Sequence, residues 1–161
     1  MIFSAVLVLG ACSSSTDKGG VETGMNDAVI VQPDDVYEDA GPTPGTQADL
    51  VVNVGDRVFF GTDRYDLSGE ARSVLDAQAA WLKQYPNVNV IIEGHADERG
   101  TREYNLALGE RRSNSVRNYL TALGVSAARI QTVSFGKERP SDAGANANAW
   151  SQNRRSVTKV N

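Results

Sequence analysis

The distribution of apolar residues along the chain predicts that strands and helices alternate in its C-terminal two thirds. The β-branched and aromatic runs 50–54 and 57–60, separated by a Gly-Asp pair, predict a strand or a short hairpin. Between Ser68, as the N-cap, and Pro86, apolar residues recur with the spacing of an amphipathic helix. The members of this stripe are Ala71, Val74, Leu75, Ala79, Trp81 and Leu82.

A second helix and further strands follow in the same alternating order. Residues 88–93 predict a strand in which positions 88, 90 and 92 face one side. The next helix is predicted from about Tyr104 to Leu123, with Gly124 ending it. Beyond it we predict a strand at 130–135, a short helix at 148–152 and a last strand at 156–160. The order βαβαβ(α)β indicates an α/β domain, a two-layer sandwich of helices on a small mixed four-stranded sheet.

The N-terminus has the pattern of a lipoprotein signal. Residues 2–11 are apolar and too short to span a bilayer, which takes about 20 residues. They run into Leu9-Gly10-Ala11-Cys12, which resembles a bacterial lipobox, in which the cysteine receives a lipid. By the same resemblance, Ser13 implies delivery to the outer membrane. Because no Lys or Arg precedes the apolar run, we expect segment 1–12 to be a truncated signal; the alternative is an incidental apolar N-terminus.

Residues 13–49 differ from the rest of the chain in charge and in pattern. They carry eight acidic residues and one basic residue, a net of −7, whereas the whole chain carries −4. Without a sustained apolar period this segment cannot bury enough surface to offset the entropy of ordering it. We therefore predict a flexible acidic tether at 13–49 and a folded domain at 50–161. The apolar run 28–31 is read as loop, with a partner-binding strand as the alternative.

Composition excludes several classes of function. Outside the tether the net charge is only +3, which is too small for the basic face of a nucleic-acid-binding protein. The single cysteine, Cys12, excludes an intrachain disulfide framework and a thiolate zinc cluster. One histidine, His95, with nearby carboxylates falls short of the three or four ligands of a zinc site. We predict no metal, no cofactor and no nucleic-acid partner.

The charged stretch 94–112 connects a predicted strand to a predicted helix, which is where α/β folds commonly bind ligands. Arg112 lies on the apolar stripe, four residues from Leu108 and from Val116, so its head is expected to emerge at an edge and meet an anion. Together with Asp97 it matches a zwitterion, such as an amino acid or the end of a peptide. An ion pair between Asp97 and Arg112, or a solvated charged loop, explains the spacing equally well.

Several separated motifs resemble one known family. The run GHADERGTREYNLALGERRSNSVRNYL, with VFFGTDRYDL before it and SFGKERP and NRR after it, resembles the peptidoglycan-associated lipoproteins of Gram-negative bacteria. These proteins share the C-terminal domain of outer membrane protein A (OmpA), and the resemblance covers nearly all of residues 50–161. It implies an OmpA-like fold that binds peptidoglycan stem peptides non-covalently, chiefly through meso-diaminopimelate, whose side chain ends in an ammonium and a carboxylate.

The same resemblance implies a cellular setting. The domain is expected in the periplasm, anchored to the outer membrane through the lipid on Cys12. The family belongs to the Tol-Pal system, which supports envelope integrity and cell division. Its partner is TolB, a periplasmic β-propeller protein that competes for a surface overlapping the peptidoglycan site.

Ligand-binding positions are carried over from this family motif by motif. The loop acid falls on Asp97, and the helix motif Asn-x-x-Leu-x-x-x-Arg falls on three residues ending at Arg112. Gly61 stands where close relatives have Asp, so only its backbone remains for contact, and Gly109 and Ser113 also depart from the common helix motif. The predicted diaminopimelate contacts are Phe60, Gly61, Asp97, Thr101, Asn105, Leu108 and Arg112, with Gly100 shaping the loop.

Two alternatives stay open. The chain could act mainly as an interaction module for TolB-like proteins, with Arg99, Arg102 and Glu103 as candidate contacts. It could also be a cell-wall hydrolase using His95 with Ser134 or Thr101, although no nucleophile elbow is present. We predict that it is not an enzyme and that His95 is a hydrogen-bonding loop residue that tunes affinity with pH.

Overall fold

A computed structural model describes residues 41–161. The predicted signal at 1–12, the lipidation of Cys12 and residues 13–40 of the predicted tether lie outside the described residues. In the described range no helix combines the length and the hydropathy that crossing a membrane requires.

The described chain contains four helices and four strands. A short helix α1 (Gln47–Asp49) continues into a π-helical turn (Leu50–Val54). Strand β1 (Arg57–Phe59), helix α2 (Gly69–Gln84), strand β2 (Val90–His95) and helix α3 (Arg102–Ala122) follow. A 3₁₀ turn (Ala127–Arg129) leads to strand β3 (Ile130–Gly136), helix α4 (Ala147–Asn153) and strand β4 (Arg155–Val160).

The four strands form one mixed sheet in the order β1-β4-β2-β3. Strands β2 and β3 run parallel, whereas β4 is antiparallel to both β1 and β2. Val157 is paired with Arg57 on one side and with Glu93 on the other, so the last strand of the chain lies in the interior of the sheet. The predicted two-layer α/β architecture with a mixed four-stranded sheet is confirmed.

The hydrophobic core lies between this sheet and helices α2 and α3. Helix α2 begins as predicted, because the hydroxyl of its N-cap Ser68 accepts from the backbone N–H of Ala71. Its predicted stripe is buried, with Val74 partly so. Gly124 follows the C-cap of helix α3, and its φ of 93° is the left-handed conformation expected of a terminating glycine. The apolar periodicity of the sequence therefore defines both core-facing helices correctly.

Strand β2 and helix α3 approach each other closely at two glycines, Gly94 and Gly109. A Cβ atom at Gly94 would overlap with the backbone carbonyl of Gly109, and neither backbone can move without shifting its whole element. The loop 96–101 and the first turns of α3 lie between these two glycines in the chain. The close approach therefore fixes the end of β2 against the helix that follows it.

The prediction of a strand over 50–54 is wrong, because these residues form the π-helical turn. Asp49 is buried and accepts hydrogen bonds from Asn53 Nδ2 at 2.7 Å and from Trp81 Nε1 at 2.8 Å, which favours helix over strand. The side chain of Gln47 bonds to the backbone of β4, at Thr158 O and Val160 N. These tertiary contacts override the β propensity of the valines, two of which stay exposed. Gln47 and Asp49, which make these contacts, lie inside segment 13–49, the predicted tether.

Candidate functional site

An open cavity of about 280 Å³ lies where the β1–α2 loop and the β2–α3 loop meet the first turn of α3. It lies beyond the C-terminal end of β2, the position at which α/β folds commonly bind ligands. The residues that line it are Thr62, Asp63, Asp97, Arg99, Gly100 and Tyr104.

Asp97 accepts more hydrogen bonds than Asp63, the other acid that lines this cavity. It is 7% exposed, and its Oδ2 accepts from Arg99 Nη2 at 2.7 Å and from Arg154 Nη1 at 3.3 Å. Its Oδ1 accepts from the backbone N–H and the Nε of Arg99, both at 3.1 Å. Burial alone would raise the pKa of Asp97, but the hydrogen bonds from Arg99 and Arg154 outweigh it and hold the pKa below its ordinary value. Asp97 therefore carries a negative charge at neutral pH.

Arg99 is the arginine that faces the cavity. Its guanidinium carbon lies 4.4 Å from the centroid of the Trp150 ring, a cation–π contact, and its side chain is 41% exposed. The hydrogen bond with Asp97 raises the pKa of Arg99. Trp150 Nε1 in turn donates to Glu98 Oε1 at 2.9 Å, so α4 supports the loop from outside. Arg99 was considered from sequence only as a partner contact, and its place in this cavity was missed.

The backbone of the loop 97–101 is held by side chains from α3 and from the residue that follows β3. Asn105 Nδ2 donates to the carbonyl of Arg99 at 2.8 Å, and Lys137 Nζ donates to the carbonyl of Gly100 at 2.7 Å. Gly100 has a φ of 88°, a conformation that L-residues with a Cβ rarely adopt. Thr101 is the N-cap of α3, where its hydroxyl accepts from the N–H of Tyr104. Thr101, Asn105 and Gly100 thus shape the loop, while Thr101 and Asn105 do not line the cavity.

The prediction that the head of Arg112 emerges at an edge is wrong. Arg112 is 0% exposed, and its guanidinium donates to three backbone carbonyls: Arg64 at 2.9 Å, His95 at 2.8 Å and Gly61 at 3.1 Å. Burial, followed by the charge of Arg154, lowers the pKa of Arg112 to about 10, which still leaves it protonated at neutral pH. Arg112 and Asp97 form no direct ion pair, so the alternative of a simple pair is also wrong.

Arg112 instead connects the two loops that build the cavity. Gly61 and Arg64 belong to the β1–α2 loop, and His95 is the last residue of β2. Phe60 lies under the guanidinium, 5.2 Å from the ring centroid to Arg112 Cζ. Phe60 and Leu108 are both 5% exposed and do not line the cavity.

The β1–α2 loop contributes an acid that sequence analysis missed. Asp63, two residues after Gly61, lines the cavity and accepts from the hydroxyl of Tyr104 at 3.2 Å. Its φ of 54° is unusual for a non-glycine residue, and such strain persists only where the surrounding structure holds it. Although Gly61 has no side chain, Asp63 supplies a carboxylate to this wall of the cavity. The backbone carbonyl of Gly61 accepts from Arg112, and its predicted contact with the ligand stays a prediction.

Arg154 was also missed. Its Nε donates to the carbonyl of Phe60 at 3.0 Å and its Nη1 bonds to Asp97, so it joins the end of β1 to the β2–α3 loop. It lies in the Asn-Arg-Arg motif that contributed to the family resemblance. Nothing in local periodicity distinguishes it from its neighbour Arg155, which bonds to other carbonyls.

His95 is the last residue of β2, not a hydrogen-bonding loop residue. It is 1% exposed and stacks on Phe135 with 5.6 Å between ring centroids. Its Nε2 lies 3.4 Å from Glu93 Oε2, but neither ring nitrogen has a well-aligned hydrogen-bond partner. Burial, and then the charges of Arg155 and Arg139, lower the pKa of His95 from 6.5 to about 4. At neutral pH it is uncharged.

The arrangement is suited to recognising charge. Two carboxylates and one partly exposed guanidinium converge on one small cavity, which matches a ligand carrying an ammonium and a carboxylate. Among residues 41–161 no group of three or more His, Cys, Asp or Glu side chains is placed to hold a metal ion.

Comparisons with known proteins agree with this architecture. The model of the OmpA family matches residues 59–154. The chain is 56% identical over 116 residues to the peptidoglycan-associated lipoprotein of Rhizobium meliloti (strain 1021), covering 72% of this chain and 66% of that one. It is 43% identical over 157 residues to the protein of the same name from Mesorhizobium japonicum, covering 97% of this chain and 87% of the other. The chain thus spans just under two thirds of the Rhizobium relative's length.

Solved structures show the same fold. The crystal structure of the peptidoglycan-associated lipoprotein from Burkholderia pseudomallei matches with a TM-score of 0.64 and 40% identity, covering 66% of this chain and 90% of that one. The C-terminal domain of Helicobacter pylori MotB matches with a TM-score of 0.62 at 17% identity, over 66% of this chain and 84% of that one, which is evidence of fold alone. The chain therefore belongs to the OmpA family and, within it, to the group of the peptidoglycan-associated lipoproteins.

Proposed function

We propose that the domain binds the peptide stems of peptidoglycan non-covalently, with the zwitterionic end of a diaminopimelate side chain in the cavity beside Asp97. The observation that carries this proposal is the Asp97–Arg99 pair, an acid and a base joined at 2.7 Å on the wall of an open cavity. A ligand with both charges can interact with each partner at once. The names of the relatives point to the same polymer.

The charges of the cavity assign a role to each end of the ligand. The ligand ammonium is placed near Asp63 and Asp97, since both are acceptors on the lining. The Nε and Nη2 of Arg99 already bond to Asp97, so Nη1 is the group we expect to meet the ligand carboxylate. Charge-assisted bonds of this kind each contribute about 1.5 to 3 kcal/mol.

Arg112 acts in this proposal as a positioning residue. Its three bonds to backbone carbonyls hold the β1–α2 loop against the end of β2, and these loops carry Asp63 and Asp97. Preorganised loops reduce the conformational entropy that is lost on binding. The role assigned to Arg112 from family resemblance, direct contact with the ligand, is thus replaced by support of the loops.

The cellular role follows from joining this domain to a lipid. We propose that Cys12 carries the lipid, that the domain lies in the periplasm, and that segment 13–49 spans the distance from the outer membrane to the wall. The protein then tethers membrane to wall without cleaving any bond, as part of a Tol-Pal system that supports envelope integrity and cell division. A TolB-like propeller protein is the proposed second partner and competes with the wall for the domain.

Cosedimentation with purified diaminopimelate-type sacculi tests the wall-binding proposal. The full chain is expected to pellet, and free meso-diaminopimelate should release it. Nα-acetyl-lysine amide should not, because its α groups are blocked and its side chain ends in an ammonium without a carboxylate. Asp97→Asn and Arg99→Gln should both stay in the supernatant while folded. The matched control is Arg102→Gln, whose arginine pairs with Glu138 outside the cavity and should pellet normally. Equal release by the blocked lysine derivative, or normal pelleting of both cavity variants, would contradict the assignment.

A further inference from the structure

A second groove lies on the other side of the β1–α2 loop from the cavity. It has a volume of about 570 Å³, within the range of about 300 to 1,000 Å³ typical of ligand sites. Its lining includes Tyr65, Leu67, Arg72, Ser115, Asn118 and Tyr119. We call it the Tyr65 groove. None of its residues takes part in the proposed binding of the peptide stem.

The side chains of the Tyr65 groove combine aromatic surface with planar polar groups. Tyr65 is 46% exposed, and the guanidinium carbon of Arg111 lies 5.7 Å from the centroid of its ring. Tyr119 is half-buried, with its hydroxyl bonded to Asp76 at 3.0 Å, so its ring is fixed. Asn118 and Arg72 are exposed at the edge. Apolar ring faces bordered by amide and guanidinium donors are suited to a sugar, which has apolar C–H faces and a rim of hydroxyls.

The groove and the cavity share one loop. Asp63 lines the cavity and Tyr65 lines the groove, and two residues span at most about 7 Å between their Cα atoms. The residue between them, Arg64, is held by its carbonyl bond to Arg112 and by two bonds of 2.7 Å from its side chain to Asp66. Asp63 and Tyr65, one from each site, therefore lie close together on either side of Arg64.

We propose that the Tyr65 groove binds the glycan of the same polymer whose peptide stem enters the cavity. The inference rests on the proposed function and adds a second class of ligand to it. Its support is continuity: glycan and stem are covalently joined, so a stem held in the cavity brings the sugar to the groove at high effective concentration. A glycan site also makes the domain specific for intact wall over free peptide.

Titration calorimetry of the full chain with two ligands tests this proposal. One ligand is the wall disaccharide joined to its diaminopimelate stem, and the other is the same stem without sugar. The joined ligand is expected to bind about tenfold more tightly, since one or two stacking contacts contribute on that scale. Tyr65→Ala and Asn118→Ala should remove this advantage without changing the affinity for the stem alone. Tyr65→Phe, which keeps the ring, should retain most of it.

The matched control is Phe59→Ala, which removes an aromatic residue of similar exposure, 42%, from outside the groove and should leave both affinities unchanged. Equal binding of the two ligands to the wild type overturns the glycan proposal and leaves the proposed function intact. Binding of neither ligand overturns both. If Tyr65→Ala leaves the tenfold advantage in place but abolishes capture of an envelope protein, the groove is a protein surface and the glycan proposal fails.

Discussion

The Nη1 atom of Arg112 lies 2.8 Å from the carbonyl oxygen of His95, in a buried position between helix α3 and the end of strand β2. The buried guanidinium of Arg112 thus serves as a hydrogen-bond donor to backbone carbonyls at the end of β2 and in the β1–α2 loop. Buried carbonyls of irregular backbone need such donors, because no water replaces them there.

Replacing Arg112 with leucine should lower the free energy of unfolding by about 3 to 5 kcal/mol, because it leaves buried carbonyls without donors. Urea denaturation measures this directly. Arg111→Leu is the matched control, since Arg111 is the exposed neighbour on the same helix and should change stability by no more than about 0.5 kcal/mol. Equal losses for the two variants would show that the carbonyl bonds contribute little.

Replacing Gly94 with alanine should prevent normal folding or cost several kcal/mol. The added methyl group overlaps with the carbonyl of Gly109, and separating β2 from α3 loosens the core. Gly69→Ala is the control, because nothing lies within 4 Å of a Cβ at that position in the first turn of α2. It should be neutral or stabilise by about 0.4 to 1 kcal/mol. Thermal unfolding followed by circular dichroism compares the two; similar melting temperatures would refute the close contact.

The stability of the domain should fall as the pH is lowered from about 6.5 towards 4. His95 has a pKa of about 4 when folded and 6.5 as its ordinary value, so in this window the unfolded chain binds the extra proton. The stabilisation from His95 is complete above pH 6.5 and amounts to about 3 kcal/mol. Urea unfolding at pH 7 and pH 4.5 measures the difference, and His95→Gln should flatten it.

Wild type and His95→Gln are compared by how steeply the free energy of unfolding changes with pH. Their absolute stabilities are not compared, since the variant alters packing against Phe135. The imidazole resonances of His95, the single histidine of the chain, report its folded pKa independently. A folded pKa near 6.5, or an unchanged slope in the variant, would mean that the site is open to water.

Trp150 should position Arg99 for the ligand. Trp150→Ala removes both the aromatic face under the guanidinium and the bond to Glu98, and is expected to weaken binding of the diaminopimelate stem about three- to fivefold. Trp150→Phe keeps the face and loses only the bond, so it should restore most of the affinity. Stem titrations distinguish them, and equal weakening in both variants would argue against the stacking contact.

The parts of the fold that sequence predicted well are those with long apolar periods. The sequence predicts helix α3 at about Tyr104–Leu123, and it is found at Arg102–Ala122. The agreement is close because the apolar stripe and the terminating glycine are local signals. Residues 50–54 have equally clear β propensity but fold as a helical turn. The bonds of Asp49 to Asn53 and Trp81 decide their conformation, and the second of these spans 32 residues.

The candidate site shows the same limit. Asp97 was identified because it lies on a loop between a strand and a helix, and Arg112 because a charge on an apolar stripe is unusual. The acceptors of Arg112 come from residues far away in the chain, so spacing could not show that its head is buried. Asp63, Arg99, Tyr104 and Arg154 come together through tertiary folding, with no shared period to indicate it.

The interior position of β4 has a consequence for how the protein is made. Residues 155–160 join β1 to β2, which are not paired with each other, so the sheet cannot close until this last segment is available. In a nascent chain that still lacks residues 155–160, β1 has no strand of the sheet to pair with. Long-range pairing of this kind delays folding to the end of synthesis. Premature termination before Arg155 should thus yield a chain that proteases degrade, with no partly active domain left behind.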